Sequence, residues 1–429
     1  MKERIAIING IRTPFCKAGG LLKDFGADDL GAMVTKELLI RNNIPIEEID
    51  EVIFGNVAQP PNAANISRVI ALKAGLPTSI PAYTVQRNCA SGMESITSAA
   101  NKILAGEAEI ILAGATESMS QIPFLFSKKM VHFFLRLLKS KTLTQKLSSL
   151  ASFRPSFLKP IIGLEEGLTD PICGMIMGST AEILSREFKI SREEQDIYAL
   201  KSHQRATLAI KEGRLAEEIL PIPLAPYYKS FQEEDDGPRP DLSLEDLAKL
   251  KPYFDPIAGS VTVGNSCQIT DGAAAVVVMR ESKAKEMNLP VIGYLHSYAY
   301  AALPGEKMGL GPAFATSKLL EKNLFTIDDF QLIEMNEAFA TQILANEQAF
   351  KSDEFAKKYL KRDKALGEID HEKLNVNGGA IALGHPVGCT GIRLILTLLK
   401  ELSRRKQNLG LATLCIGGGQ GAALALEVK

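Results

Sequence analysis

Short β-branched runs separated by longer stretches of helical periodicity constrain this chain most, because that alternation stacks helices on a layered sheet. The runs Ile5–Ile8 and Glu51–Phe54 alternate with helical patterns over Asp28–Arg41 and Ala64–Lys73. After Thr84-Val85-Gln86, the segment Cys89-Ala-Ser-Gly leads into Met93, Ile96, Ala100, Ile103 and Leu104 at helical spacing, and Ile110–Ala113 reads as a buried strand. A similar order returns from Val291, with helices over Ala313–Lys322 and Ala338–Phe350, a glycine-rich turn into Ile392–Leu402, and strands at Leu411–Leu414 and Ala422–Leu426. The expectation is an α/β fold of two structural repeats with little residue identity. Their clearest echo is Cys89-Ala-Ser-Gly before one helix and Cys389-Thr-Gly before another, both small-residue starts that let a backbone approach something closely.

Between the repeats the composition changes. Gln121 to Gly163 holds eight Lys or Arg and no Asp or Glu, interleaved with Phe124, Phe126, Phe133, Phe134, Phe153 and Phe157. Met130, Phe134, Leu137 and Leu138, then Leu143, Leu147 and Leu150, recur at helical spacing and predict two short basic amphipathic helices. Anionic lipid, the polyphosphate end of a ligand and a partner subunit would each suit that surface. So would a loop domain that packs its apolar face on its own core. The acidic run Glu233 to Asp236, followed by Pro238 and Pro240, reads as a linker.

A length of 429 residues suits two or three domains, and 46% hydrophobic with 23% charged residues describes a globular chain. The formal net charge of -1 gives no excess of Lys and Arg to neutralise phosphates, so no nucleic-acid partner is expected. Met1-Lys2-Glu3-Arg4 runs directly into Ile5-Ala6-Ile7-Ile8, too short for the apolar part of a signal peptide. No apolar stretch reaches the roughly eighteen residues of a membrane helix, and a cytoplasmic location is the expectation. Cys16, Cys89, Cys173, Cys267, Cys389 and Cys415 form no Cys-x-x-Cys pair and the five histidines are scattered, so reduced thiols and no metal are expected.

Four motifs carry chemistry. Cys89 follows Asn88 at a helix start, where the helix dipole would favour a thiolate, although a free cysteine is more often an inert core residue. In Asn375-Val-Asn-Gly-Gly-Ala-Ile-Ala-Leu-Gly-His385-Pro-Val-Gly, a histidine between glycines reads as displayed rather than packed. Leu414-Cys415-Ile-Gly417-Gly418-Gly419 places a second cysteine after a strand and before glycines whose N–H groups can turn toward one anion. Asn336-Glu337-Ala338-Phe339 follows the strand-like Leu332-Ile333 and opens a helix.

In this order and spacing the four motifs resemble those of the thiolase family, and the resemblance covers essentially the whole chain. It implies two stacked five-layered αβαβα halves: residues 1–120 with 259–284 as the first, an inserted loop domain over 121–258, and 285–429 as the second. It also implies roles. Cys89 would take up the acyl group, His385 would activate it, and Cys415 would be the general acid and base. His385 and a water on Asn336 would hold the enolate oxygen, and the N–H groups of Cys89 and Gly417 the tetrahedral intermediate. Met177 and Met308 match positions lining the acyl pocket. Where the family usually has a serine touching coenzyme A, Gly264-Asn-Ser266-Cys267-Gln carries Cys267, with Ser266 beside it. Coenzyme A and acyl-CoA would be substrates with no permanently bound cofactor, and the assembly a homodimer or homotetramer.

The stretch from Ser127-Lys128-Lys129 to Lys141-Thr-Leu-Thr-Gln-Lys-Leu-Ser resembles the insertion with which β subunits of fatty-acid oxidation complexes meet an α subunit and a membrane, implying contacts of that kind through 121–163. Those subunits commonly carry histidine where this chain has Asn336, the residue usual in free-standing thiolases. The expected activity is 3-ketoacyl-CoA thiolysis, with short-chain acetyl-CoA condensation as the alternative. A decarboxylating ketoacyl synthase shares the fold but needs no second catalytic cysteine, and a lipid-binding scaffold would be expected to have lost Cys89, His385 or Cys415; all three are present.

Overall fold

The structure, a computed structural model, describes residues 3–429. The main sheet is built, among the described residues, on nine strands of four or more residues, in chain order β1 (Ile5–Arg12), β2 (Glu51–Gly55), β3 (Ala82–Val85), β4 (Ile110–Glu117), β5 (Thr270–Arg280), β6 (Gly293–Ala302), β7 (Leu332–Met335), β8 (Leu409–Ile416) and β9 (Gln420–Glu427). With a short pairing at Cys16–Lys17 they form a ten-stranded sheet ordered β3-β2-β4-β5-β1-β6-β9-β8-β7. From its centre outward the sheet repeats itself. On one side β1 to β5 and β5 to β4 are antiparallel, and β4 to β2 and β2 to β3 are parallel. On the other, β6 to β9 and β9 to β8 are antiparallel and β8 to β7 parallel, with a parallel bridge from Ile333 to Leu374 where the first arm has β3. The arms join where Ile5 and Ile7 of β1 face Leu295 and Gly293 of β6.

Side chains alternate between two cores because successive residues of a strand face opposite ways. In β4, Ile110 and Leu112 pack outward with helices α1 (Ala27–Asn42) and α2 (Ile66–Lys73). Ile111 and Ala113 of the same strand pack inward on α3 (Ser91–Ala105) and on Ile392, Leu396 and Leu399 of α10 (Thr390–Arg405). The second arm does likewise, Ala412 and Leu414 facing the shared core and Leu411 and Ala423 facing α8 (Gly311–Asn323) and α9 (Ala340–Phe350). The five layers are therefore shared, not repeated in each half. Each half supplies outer helices, a sheet arm and one central helix, and a central helix buried over most of its surface needs both arms to cover it.

Between β4 and β5 lie α4 (Lys128–Lys139), α5 (Leu143–Ala151), α6 (Met177–Glu187) and α7 (Arg192–Lys211). The two basic helices form as expected, each capped by a hydroxyl, Ser127 or Thr142. Their buried face differs from the expected stripe. Met130 and Phe133 turn inward, Phe133 against the rings of Phe153 and Phe157, while Leu138 and Leu143 are 81% and 74% exposed. No helix among the described residues is long and apolar enough to cross a membrane.

The acidic run is not a linker. Asp235 is buried and receives both terminal nitrogens of Arg12, at 2.6 and 2.8 Å, and the Phe15 amide at 2.7 Å. Arg12 also holds Glu218, at 2.8 Å. A charge run looks solvated in sequence; here one member closes a buried ion pair with a residue more than two hundred positions away.

Candidate active site

Cys89 stands between β3 and α3. Asn88 before it adopts φ 44°, the left-handed region that asparagine tolerates better than most residues, and Ser91 accepts the Arg87 amide and donates to the Asn88 carbonyl. The start of α10 crosses this turn. A Cβ on Gly92 would lie 3.0 Å from the Gly388 carbonyl oxygen, and one on Gly391 would lie 2.7 Å from the Met93 amide. The two small-residue helix starts thus approach each other, bringing a loop of each half to one point. Cys389, the echo of Cys89, is wholly buried in the shared core.

Cys415 is the penultimate residue of β8, and Gly417-Gly418-Gly419 turn the chain back into β9. Gly418 and Gly419 take φ 86° and 76°, and a Cβ on Gly419 would collide with the Leu303 carbonyl, so only glycine makes this turn. Asn88 Nδ2 donates to the Gly417 carbonyl at 2.8 Å, which fastens this hairpin to the Cys89 turn. The backbone N–H groups of Gly417 and of Cys89 itself favour the thiolate. Burial outweighs them and raises the half-buried Cys89 thiol, so the helix start alone does not make a resting thiolate. Burial, with the Cys89 and Cys267 thiols nearby, raises Cys415 far more, which keeps its proton in place. Met177 Sδ would lie 3.3 Å from a Cβ on Gly417, and Met308, Ala338 and Phe339 pack with Cys415.

The remaining motifs are laced to this centre by residues 266–268. The Cys267 amide donates to the Ala338 carbonyl and the Gln268 carbonyl accepts from the His385 amide, both at 3.0 Å, so Cys267 stands between the Asn336 and His385 loops. Its thiol, pushed up to about 12 by burial and by Cys89, belongs to the same cluster. Ser266 spends its hydroxyl on the Thr262 carbonyl at 2.7 Å and is buried. Asn336 is buried with neither side-chain oxygen nor nitrogen hydrogen-bonded, an amide held ready for a ligand or water.

His385 is buried, not displayed: its glycines permit a tight passage beneath Thr270 rather than exposure. Burial, with the charge of Arg393, lowers it to about 3, so it is neutral near pH 7. Nδ1 lies 2.6 Å from Thr390 Oγ1, whose hydroxyl donates to the Pro386 carbonyl at 3.2 Å. That arrangement leaves Nδ1 to donate and Nε2 with a free lone pair, the form of imidazole that accepts a proton.

Thr390 was not evident from sequence as a partner of His385; its place in the Gly-Cys-Thr-Gly turn was the signal available. Nor was the support under the Asn336 loop. Glu337 accepts Ser202 Oγ at 2.6 Å, Tyr198 Oη and Asn375 Nδ2 at 3.0 Å, and the Ile381 amide at 3.2 Å, tying α7 to the second half. Nothing in the pattern of α7 singles out Tyr198 or Ser202.

The assembled site holds three thiols, one neutral imidazole, one unpartnered amide and two backbone N–H groups that favour a thiolate, which suits acyl transfer through a thioester. The chain matches the family model described as thiolase, N-terminal domain over residues 5–282 and that described as thiolase, C-terminal domain over 289–428. It is similar to the 3-ketoacyl-CoA thiolase of Pseudoalteromonas translucida (strain TAC 125), 44% identical over 99% of this chain and 97% of the relative. The 3-ketoacyl-CoA thiolase of Yersinia pestis (strain Pestoides F) is 43% identical over 100% and 97%. Among solved structures, the Bacillus anthracis acetyl-CoA acetyltransferase superposes with TM-score 0.87 at 38% identity over 100% of this chain and 99% of the other. The human mitochondrial 3-ketoacyl-CoA thiolase in complex with CoA does so with TM-score 0.86 at 36% identity over 100% and 98%. With both family models spanning nearly its whole length and a site of this make-up at their junction, the chain belongs to the thiolase family.

Proposed function

We propose that this thiolase is a 3-ketoacyl-CoA thiolase, cleaving 3-ketoacyl-CoA with coenzyme A to acetyl-CoA and a shortened acyl-CoA. The observation that carries the reading is the fastening of the Cys89 turn to the Cys415–Gly417 hairpin, Asn88 Nδ2 donating to the Gly417 carbonyl at 2.8 Å, which brings the thiols of Cys89 and Cys415, one from each half, into one cluster. His385 takes the Cys89 proton at Nε2 and the sulfur attacks the keto carbon. The N–H groups of Cys89 and Gly417 hold the resulting oxyanion. Breaking the carbon–carbon bond leaves acyl-Cys89 and the enolate of acetyl-CoA, whose oxygen rests on His385 and a water on Asn336. The Cys415 S–H supplies the proton that completes acetyl-CoA. The Cys415 thiolate then takes the proton of incoming coenzyme A, whose sulfur displaces Cys89 from the acyl group, and the released Cys89 thiolate takes back the proton held on His385. No bound cofactor is needed, because the thioester delocalises the enolate charge.

Met177 and Met308 line the acyl side of this site. Cys267 faces the substrate where a serine is usual, with Ser266 supporting the loop behind it. The reading includes a loop domain over 121–258 between halves formed by 1–120 with 259–284 and by 285–429. It also includes a homodimer or homotetramer in the cytoplasm, and contact with an α subunit or an anionic membrane through 121–163, supported by exposed Phe124, Phe126 and Leu138 among lysines. The relatives named as 3-ketoacyl-CoA thiolases favour cleavage over acetyl-CoA condensation. The test is CoA-dependent cleavage of acetoacetyl-CoA and a long-chain 3-ketoacyl-CoA side by side, with Cys89→Ala as control. Long-chain cleavage lost in the variant is expected. Cleavage of acetoacetyl-CoA alone would assign the short-chain reaction, and cleavage of neither would overturn the reading.

A further inference from the structure

Glu117, the last residue of β4, is a wholly buried carboxyl that the chemistry above leaves unused. Four N–H groups converge on it. Asn56 Nδ2 and the Ala58 amide reach Oε1 at 3.1 and 2.8 Å, and the amides of Val57 and Gly388 reach Oε2 at 3.1 and 3.0 Å. Burying a carboxyl is costly, and here burial raises it to about 7 in spite of these donors, so an apolar residue would fill the position more cheaply if packing were its only purpose.

The donors show what the carboxyl joins. Three come from the turn after β2, in the first half. The fourth, Gly388, lies between His385 and its partner Thr390, in the second half. A Cβ on Gly388 would come within 2.8 Å of Glu117 Oε2, while the Gly388 carbonyl sits against Gly92 on the helix that Cys89 begins. Gly388 is thus gripped between Glu117 and the first turn of α3, where the two catalytic loops touch.

We propose that Glu117 is a positioning residue for thiolysis: it locks the Gly388 peptide against the Cys89 helix start and so sets His385 relative to the Cys89 sulfur. The inference rests on the assignment of Cys89 and His385 made above. Glu117 meets no substrate and acts through the loop it holds.

Glu117→Gln keeps the shape but turns one acceptor oxygen into an amide N–H₂ facing N–H donors, so at least one donor loses its partner. The expected result is a fall in kcat for acetoacetyl-CoA cleavage of about ten- to hundredfold with KM little changed, the size a small misplacement of reacting groups produces. The pH profile of Cys89 alkylation by iodoacetamide shifts as well. The titratable groups that bear on that profile are Glu117, Cys267 and Cys415, and Glu117 itself faces Asp271 and Cys389. Glu117→Asp, which keeps the carboxyl, recovers part of the rate. Unchanged kcat and alkylation profile in folded Glu117→Gln would overturn the proposal, as would activity lost only in proportion to folded protein. If that variant does not fold, Gly388→Ala tests the same contact from its other side, and full kcat there counts against the proposal. Cys89→Ala runs alongside: activity surviving in it sinks the catalytic assignment, whereas activity lost in it and intact in Glu117→Gln sinks this inference alone.

Discussion

Cys89 and Cys415 carry the same side chain in one buried site, and what separates them is the company of each sulfur. Cys89 has two backbone N–H groups to favour its charge; Cys415 has two neighbouring thiols that oppose it. Cys415→Ser should therefore leave the alkylation of Cys89 by iodoacetamide close to wild type while steady-state thiolysis falls by about a hundred- to ten-thousandfold, the range for a lost acid and base. Equal loss of alkylation and thiolysis would contradict the division of labour. A second expectation concerns His203, buried and lowered to about 4 by burial and the Arg239 charge, with its Nδ1 accepting the Arg239 amide. Its folded pKa lies below the ordinary 6.5, so the unfolded chain takes the proton first, and the stability contributed is complete above 6.5 and lost as pH falls toward 4. The stability lead of wild type over His203→Gln should shrink between pH 6.5 and 5, by at most about 1.4 kcal/mol per pH unit. Urea midpoints across that range would measure it, and a lead that grows on acidification would refute it.

At the scale of elements, the crossing of α3 and α10 is what places one half's nucleophile beside the other's loops. Gly391→Ala pushes a methyl against the Met93 amide, where backbone cannot give way as a flexible side chain would. A loss of about 1–3 kcal/mol in folding free energy is expected from overpacking, together with reduced thiolysis. Gly167→Ala is the natural comparison, since a Cβ there meets nothing within 4 Å at the end of a short helix. It should be neutral or slightly stabilising, by up to about 1 kcal/mol. Thermal unfolding of the pair would show whether close approach, rather than helix propensity, governs the first site.

Across the whole molecule, Arg12 joins parts of the chain that the sheet alone does not. From the end of β1 it holds Glu218 and Asp235 of the insertion, and Glu218 in turn accepts Thr397 of α10. Removing the guanidinium leaves two buried carboxylates without their counter-charge. Arg12→Leu should cost about 3–5 kcal/mol, read from urea unfolding, although the new side chain is apolar and the site is fully buried. A loss below about 1 kcal/mol would show that the network is a passive filler.

Much of this was legible in the residues themselves. Continuous apolar runs such as Ile110–Ala113 and helical patterns such as Asp28–Arg41 determined local structure, because a strand buried on both faces is apolar throughout and a helix in a layered core presents apolar residues at its own period. The catalytic motifs stood out because dense glycine and lone cysteines beside helix starts have few other uses. What the tertiary structure decided were properties of environment. His385 looked exposed among its glycines yet is buried, and Cys89 looked like a thiolate at a helix start yet is raised by burial. Asp235 looked solvated yet closes a buried ion pair, and Glu117 had no sequence signal at all. Burial and long-range partners arise only when segments hundreds of residues apart are brought together, so the sequence by itself determined which elements form and which groups can react. The packing of one half on the other determined their charge, their partners and their order.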